Sequence, residues 1–212
     1  MILVLHGILM MIAWLILVPA GIVVARYFKV SPSQNYPEEL DNPFWFYTHV
    51  YLQSTGVAIA CIGLAMAWCG IGTVDTHDNH ARMGWIVMTL GFLQIVSSLL
   101  RGTKGGPTGG HAEPDRPETW HGDHYNMTLR RRLFEVWHKA AGYISVALAV
   151  PTAMLGLARA GFDGIVYVLP ALLGLSFFGL WTYLQHWHRR VPTYQSIWGP
   201  DARHPGNRKS HR

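Results

Sequence analysis

Five stretches of this sequence are too long and too poor in charge to lie against water. Ile2 to Ala25 and Phe44 to Cys69 contain no Asp, Glu, Lys or Arg, and Met83 to Leu100, Ala140 to Ala158 and Gly164 to Leu184 repeat the pattern. Each reaches the roughly 18–25 residues that carry a helix across a hydrocarbon core about 30 Å thick. The fold class is therefore all-α. It is a polytopic membrane protein with spans expected at about 2–25, 44–69, 82–100, 138–158 and 164–186. Small residues at helical contact spacing, such as Gly56, Ala60 and Gly63, suit close packing of helices in lipid. The mean hydropathy of +0.17 is only an average over these blocks and the polar segments between them. A charged share of 14%, against the roughly 25% usual in soluble domains, excludes an ordinary ionic surface. Two cysteines, Cys61 and Cys69, exclude a disulfide scaffold and a cysteine-ligated metal site.

Charge placement orients the bundle. The first span has no basic residue before it and Arg26 and Lys29 after it, so it reads as a retained span with its amino terminus outside. Segments 26–43, 101–137 and 185–212 then share one face. Only Arg82 and Arg159 of the 17 Lys and Arg fall at the other face. The positive-inside rule makes the first face cytoplasmic, which places the carboxyl terminus in the cytoplasm. The net charge of +5 is thus an orientation signal, and nucleic acid is not an expected partner. Domain 1–187 is transmembrane, and 188–212 is a basic polar tail expected to have little order. The loop from Arg101 to Trp137, punctuated by glycine and proline, is expected to be irregular, with a helix starting near Thr128.

Twelve histidines accompany the two cysteines. His6, His49, His80 and His138 lie near the starts of the first four spans in order. Successive helices alternate direction, so these residues sort by depth into His6 with His80 outside and His49 with His138 inside. Two neutral imidazoles from facing helices are what a six-coordinate haem iron requires, and helix-bundle cores suit such cofactors. The bland alternative is four interfacial histidines, each anchoring a helix end. Sorting by depth on successive spans favours the haem-ligand reading over that alternative, one iron for each pair. A cytochrome b subunit anchoring a separate dehydrogenase would use the same haems, whereas a haem-free structural or transport bundle would need none.

The residues around these histidines resemble the cytochrome b561 family, nearest the five-span core found with DOMON domains. The stretches that carry the resemblance are His6-Gly7 through Ala13-Trp14 and Pro19 to Ala25-Arg26-Tyr27, then Trp45-Phe46-Tyr47-Thr48-His49-Val50. They continue with His80 and Gly84, Thr89 to Gln94 leading to Leu99-Leu100-Arg101, and His138 with Gly142-Tyr143. The resemblance covers roughly positions 5 to 185. It implies two b-type haems ligated first histidine with third and second with fourth, electron transfer across the bilayer, and often a homodimer. Ascorbate, quinol or ferric chelates are the redox partners it suggests. No DOMON domain precedes the first span, and the loop from Thr103 to Met127 is longer than expected for the family.

Arg26, Arg82, Arg101 and Lys139 lie at the span ends, where haem propionates would find cationic partners. Snorkelling topology charge is the equal alternative. His111, His121 and His124 sit in the long loop, where His121 and His124 offer metal donors or merely polar surface. His186 and His188 flank Trp187 as interface anchors, and His77 is read as a loop residue. Trp14, Trp45, Trp85, Trp137 and Tyr143 fit interfacial belts, with Trp85 and Tyr143 alternatively packing on a macrocycle.

Overall fold

The structure, a computed structural model, describes residues 1–71, 78–113, 115–187 and 190–208, so His77 and His188 lie outside the described residues. Among the described residues, five long helices are apolar enough to cross a membrane. Helix α1 covers Ile2–Tyr27, α2 Phe44–Ile71, α3 Asn79–Leu99 and α4 Leu129–Arg159. Helix α5, Val168–Trp187, is entered through the 3-10 turn Gly164–Tyr167. Two short helices follow, α6 at Thr193–Trp198 and α7 at Pro205–Arg208. No strand occurs among the described residues. The expected spans match these helices closely except at α4, which begins nine residues early. There Thr128 caps the helix, its hydroxyl oxygen accepting from the Arg131 amide at 3.3 Å.

Helix α1 is continuous but widens to a π-helical segment at Ile12–Leu17. Pro19 explains it. The proline has no amide hydrogen to give the carbonyl four residues back, and its ring would crowd that carbonyl, so the preceding turn opens. The widened segment buries Ala13, Trp14 and Leu15. Trp14 is 6% exposed and meets Gly91 of α3, where a Cβ would come within 2.7 Å of the indole. It is a mid-bundle core residue and does not belong to an interfacial belt. Val18, Ala60, Val87, Met88, Val146 and Ala149 complete this core. Helix α1 packs along α2 and α3 along α4, while α5 leans on the outside of α1 and α4. The leucine and phenylalanine faces left exposed, Leu172, Leu175 and Phe178 of α5 among them, are the surface expected against lipid.

The loop and tail depart from expectation. At one end of the bundle, segments 101–113 and 115–128 and residues 190–208 fold together as a cap. Tyr194, Ile197 and Trp198 of α6 pack on Tyr125, and Trp120 and Met127 close the cluster. Backbone bonds stitch the loop to itself: His124 donates to Thr103 at 3.0 Å, Tyr125 to Lys104 at 3.1 Å and Gly106 to Trp120 at 3.0 Å. Gly106 is at φ +78, and Trp198 lies so close that a Cβ could not be placed there. The linker joins through Asp41, which pairs with Lys104 at 2.5 Å and whose amide donates to the Ser196 carbonyl. Residues 190–208 of the tail are therefore ordered by aromatic burial rather than loose beyond the membrane surface.

His124 locks this cap to α4. Its ring is 6% exposed, lies 4.8 Å from the Trp198 ring, and accepts at Nε2 from the Arg131 guanidinium at 3.2 Å. Burial, then the charge of Arg131, lowers its pKa from about 6.5 to about 3, with Glu135 opposing and Arg101 and Lys104 adding to the shift. Between those values the detached cap binds a proton that the packed cap refuses, so cap stability is complete above pH 6.5 and falls as acid is added. Limited proteolysis should therefore release the tail increasingly as the pH drops below about 6. His124→Gln should flatten that dependence. Equal acid sensitivity in the variant would show that His124 is not the titrating group.

Candidate functional site

The four span-start histidines meet in two pairs. His6 of α1 faces His80 of α3 with ring centroids 6.1 Å apart and planes at 87°. His49 of α2 faces His138 of α4 at 6.3 Å and 73°. These are the pairs that alternating helix direction requires. All four rings are half-buried.

The outer nitrogen of each ring is held from a neighbouring helix. Nδ1 of His6 lies 2.8 Å from the Gly63 carbonyl, Nδ1 of His49 2.9 Å from that of Gly21, and Nδ1 of His80 2.9 Å from that of Thr152. A carbonyl oxygen only accepts, so these three rings carry their proton on Nδ1 and turn a bare Nε2 inward. His138 differs. Its Nδ1 faces the Gln94 side-chain amide at 2.6 Å.

A reciprocal pattern underlies these contacts. Helix α1 supplies His6 and, 15 residues on, the Gly21 carbonyl for His49, while α2 supplies His49 and, 14 residues on, the Gly63 carbonyl for His6. Helices α3 and α4 repeat the exchange, with Gln94 14 residues after His80 and Thr152 14 residues after His138. Fourteen residues of helix rise about 21 Å, which sets the separation of the two layers. Glycine makes room where the rings approach backbone. A Cβ on Gly156 would stand 2.8 Å from Cε1 of His80. At Gly84 and Gly142, one turn beyond His80 and His138 on the same helix faces, a Cβ would meet nothing within 4 Å.

This arrangement fits an iron porphyrin. Two imidazoles bound axially to one iron, each through a metal–nitrogen bond of about 2 Å, hold their ring centres roughly 6.3 Å apart. The open surfaces at Gly84 and Gly142 leave room on these helix faces for a flat macrocycle. No group of three histidine, cysteine or acidic side chains able to hold a metal ion by themselves occurs among the described residues. His121 is exposed and His124 is buried in the cap, so the two loop histidines do not converge.

The cationic candidates are placed less uniformly. Arg26 donates to Tyr27 at 3.2 Å, Tyr143 at 3.1 Å and Gln185 at 3.0 Å, and its guanidinium lies 4.2 Å over Trp181. Lys139 is exposed and pairs with Glu135 at 2.8 Å. Arg101 lies 4.9 Å over Phe46, and Arg82 is exposed on α3. Tyr143 turns its ring to Trp181 at 5.2 Å, and Trp85 is 39% exposed. His186 bonds Thr182 within its own helix at 2.7 Å beside exposed Trp187. Cys61 and Cys69 are free thiols. Lys29, which the sequence marks only as a charge after the first span, is 7% exposed and donates to the Arg26 and Val191 carbonyls, both at 3.3 Å. Burial, then neighbouring Lys139, Arg190 and Arg26, lowers its pKa to about 8.

Comparison with known proteins supplies the family. A cytochrome b561 and DOMON domain-containing protein of Arabidopsis thaliana is 32% identical over 160 residues, 72% of this chain and 27% of the relative. Ferric-chelate reductase 1 of Homo sapiens is 30% identical over 158 residues, 74% of this chain and 25% of the relative. The chain belongs to the cytochrome b561 family. A cytochrome b561, DM13 and DOMON domain-containing protein of Arabidopsis thaliana aligns over 84% of the chain at 29% identity, but over 17% of its own length. The chain thus spans about a quarter or less of the length of these relatives. No family model and no solved structure matches it. Membership of the cytochrome b561 family implies binding of haem b.

The Nδ1 partners were not singled out from sequence. The signal that could have found them is the recurrence of a small or polar residue 14 or 15 positions after each histidine. The close approach at Gly156 gives a direct test. Gly156→Val should displace His80 and lower the haem bound per chain, while Gly179→Ala, on a lipid-facing surface with nothing within 4 Å, should leave it unchanged. Equal haem content in both variants, read from the reduced spectrum, would count against His80 as part of the site.

Proposed function

We propose that this cytochrome b561 holds two haems b and passes single electrons from one face of the membrane to the other. One haem would be ligated by His6 and His80 and the other by His49 and His138. The observation that carries the reading is the pair of imidazole couples at 6.1 and 6.3 Å, in which at least three rings keep Nε2 free for iron. Haem b supplies a one-electron ferric–ferrous couple.

The chain's own residues do the rest. The carbonyls of Gly63, Gly21 and Thr152 fix three rings in the ligating tautomer and raise their basicity. His6 with His80 and His49 with His138 would hold the cofactors with no ligand position left for substrate, so partners would exchange electrons at the protein surface. The core around Trp14, Val87 and Met88 excludes water between the layers, about 21 Å apart by helical rise. Arg26, Arg101 and Lys139 at the capped end and Arg82 at the opposite end would neutralise propionates or attract anionic partners. The amino terminus and the His6–His80 layer lie outside, the cap and carboxyl terminus lie in the cytoplasm, and the membrane is the cell membrane. The human relative's name, ferric-chelate reductase, supports a ferric chelate as acceptor, with ascorbate or quinol as donor. A homodimer is the proposed assembly.

Purified protein should show a dithionite-reducible b-type spectrum with two haems per chain. Replacing His6 or His80 by leucine should remove one redox component, and replacing His49 or His138 should remove the other. Haem content unchanged in all four variants would overturn the assignment.

A further inference from the structure

Three of the four ligand candidates are held at Nδ1 by backbone carbonyls, whose character no substitution changes. The fourth, His138, is held by a side chain. One terminal atom of the Gln94 amide lies 2.6 Å from Nδ1 of His138 and 3.1 Å from the His138 carbonyl oxygen, and the other lies 3.2 Å from the Gly142 amide nitrogen. The Ser97 hydroxyl is 3.5 Å from the same Nδ1 and already donates to the Gln94 carbonyl at 2.9 Å. Phe134 stacks on the ring at 5.1 Å and offers no hydrogen-bonding group.

The amide can stand in two orientations, and each dictates a tautomer. With nitrogen inward it donates to Nδ1 and to the His138 carbonyl, and its oxygen accepts from Gly142. The imidazole proton must then sit on Nε2, which closes that nitrogen to metal. With oxygen inward the amide accepts Nδ1–H, and Nε2 is left bare. The separation of 2.6 Å is short for a nitrogen–hydrogen–oxygen bond and shorter still for one between two nitrogens, whose radii are larger. His138 and Gly142 stand four apart in α4, so their carbonyl and amide can already pair within the helix without the glutamine. Distance and ring chemistry therefore favour oxygen inward.

We infer that Gln94 is the positioning residue that fixes the ligating tautomer of His138 and, through the strength of that one hydrogen bond, sets the potential of the haem in the His49–His138 layer. This rests on the di-haem reading above. An acceptor at Nδ1–H gives the imidazole partial anionic character, which stabilises ferric over ferrous iron and lowers the potential. The His6–His80 layer has only backbone partners at Nδ1, so its potential should not respond to position 94.

The test is a redox titration of the purified holoprotein, resolved into its two components, for Gln94→Leu, Gln94→Glu and His138→Leu. Gln94→Leu removes the acceptor and should raise the potential of one component. Gln94→Glu strengthens the acceptor and should lower the potential of that same component. The second component should stay where it is in both. Should Gln94→Leu bind only one haem, a selective downward shift in Gln94→Glu still supports the inference. Unchanged potentials, equal shifts of both components, or a shift in Gln94→Glu with Gln94→Leu at the wild-type value would overturn it, the last reducing the effect to through-space charge. His138→Leu separates the two levels. Retention of both haems there defeats the ligand assignment itself, whereas one remaining haem together with unresponsive Gln94 variants defeats only the role of Gln94.

Discussion

An imidazole in a dry helix bundle has two nitrogens to satisfy, and that requirement organises this protein. In lipid, an unpaired polar group costs several kcal/mol, so a ring that points one nitrogen at a metal must find an acceptor for the other. Here three of the partners are carbonyls from the other helix of a reciprocal pair, and the Gln94 side chain stands at the fourth ring. Helices α1 and α2 hold one another's histidines, and so do α3 and α4. The imidazole couples run the other way, α1 to α3 and α2 to α4. Hydrogen bonds thus join helices within each pair, and the couples join the two pairs at two depths. Between the depths, the π-segment of α1 drives Trp14 against Gly91 and closes the core.

Much of this was legible in the chain. The uncharged blocks gave five spans, alternating direction sorted the histidines into two layers, and those layers are the ones the fold assembles. Partners at Nδ1 were not legible for a physical reason. Three are backbone carbonyls, which leave no side-chain signature, and glycine at 21, 63 and 156 speaks equally for ordinary close packing. Gln94 could be quoted as part of a motif, but its contact depends on the rotation of α3 against α4, which sequence spacing alone does not fix. Trp14 reads as interfacial from its place near the chain start, whereas the helix carries it to mid-depth.

The cap was the least legible part. Loop 101–128 and the tail look polar and punctuated, and each alone would be poorly ordered. Their order comes from contacts between residues far apart in the chain, such as Tyr125 with Tyr194 and His204, and His124 with Trp198. A few buried aromatic rings outweigh a polar composition when the backbone bends back on glycine at 102, 105 and 106, all at positive φ. The histidine-rich loop thereby acquires a structural use for His124 that needs no metal.

The two histidine couples set their rings nearly at right angles, 87° in one layer and 73° in the other, and on the proposed reading each would hold one haem iron. Rings so crossed leave the two ferric π-orbitals close in energy, which produces a strongly anisotropic low-spin signal. Electron paramagnetic resonance of the fully oxidised protein measures this directly. Two such low-spin signals are expected, together integrating to two spins per chain. A dominant high-spin signal, or one low-spin species at one spin per chain, would contradict it.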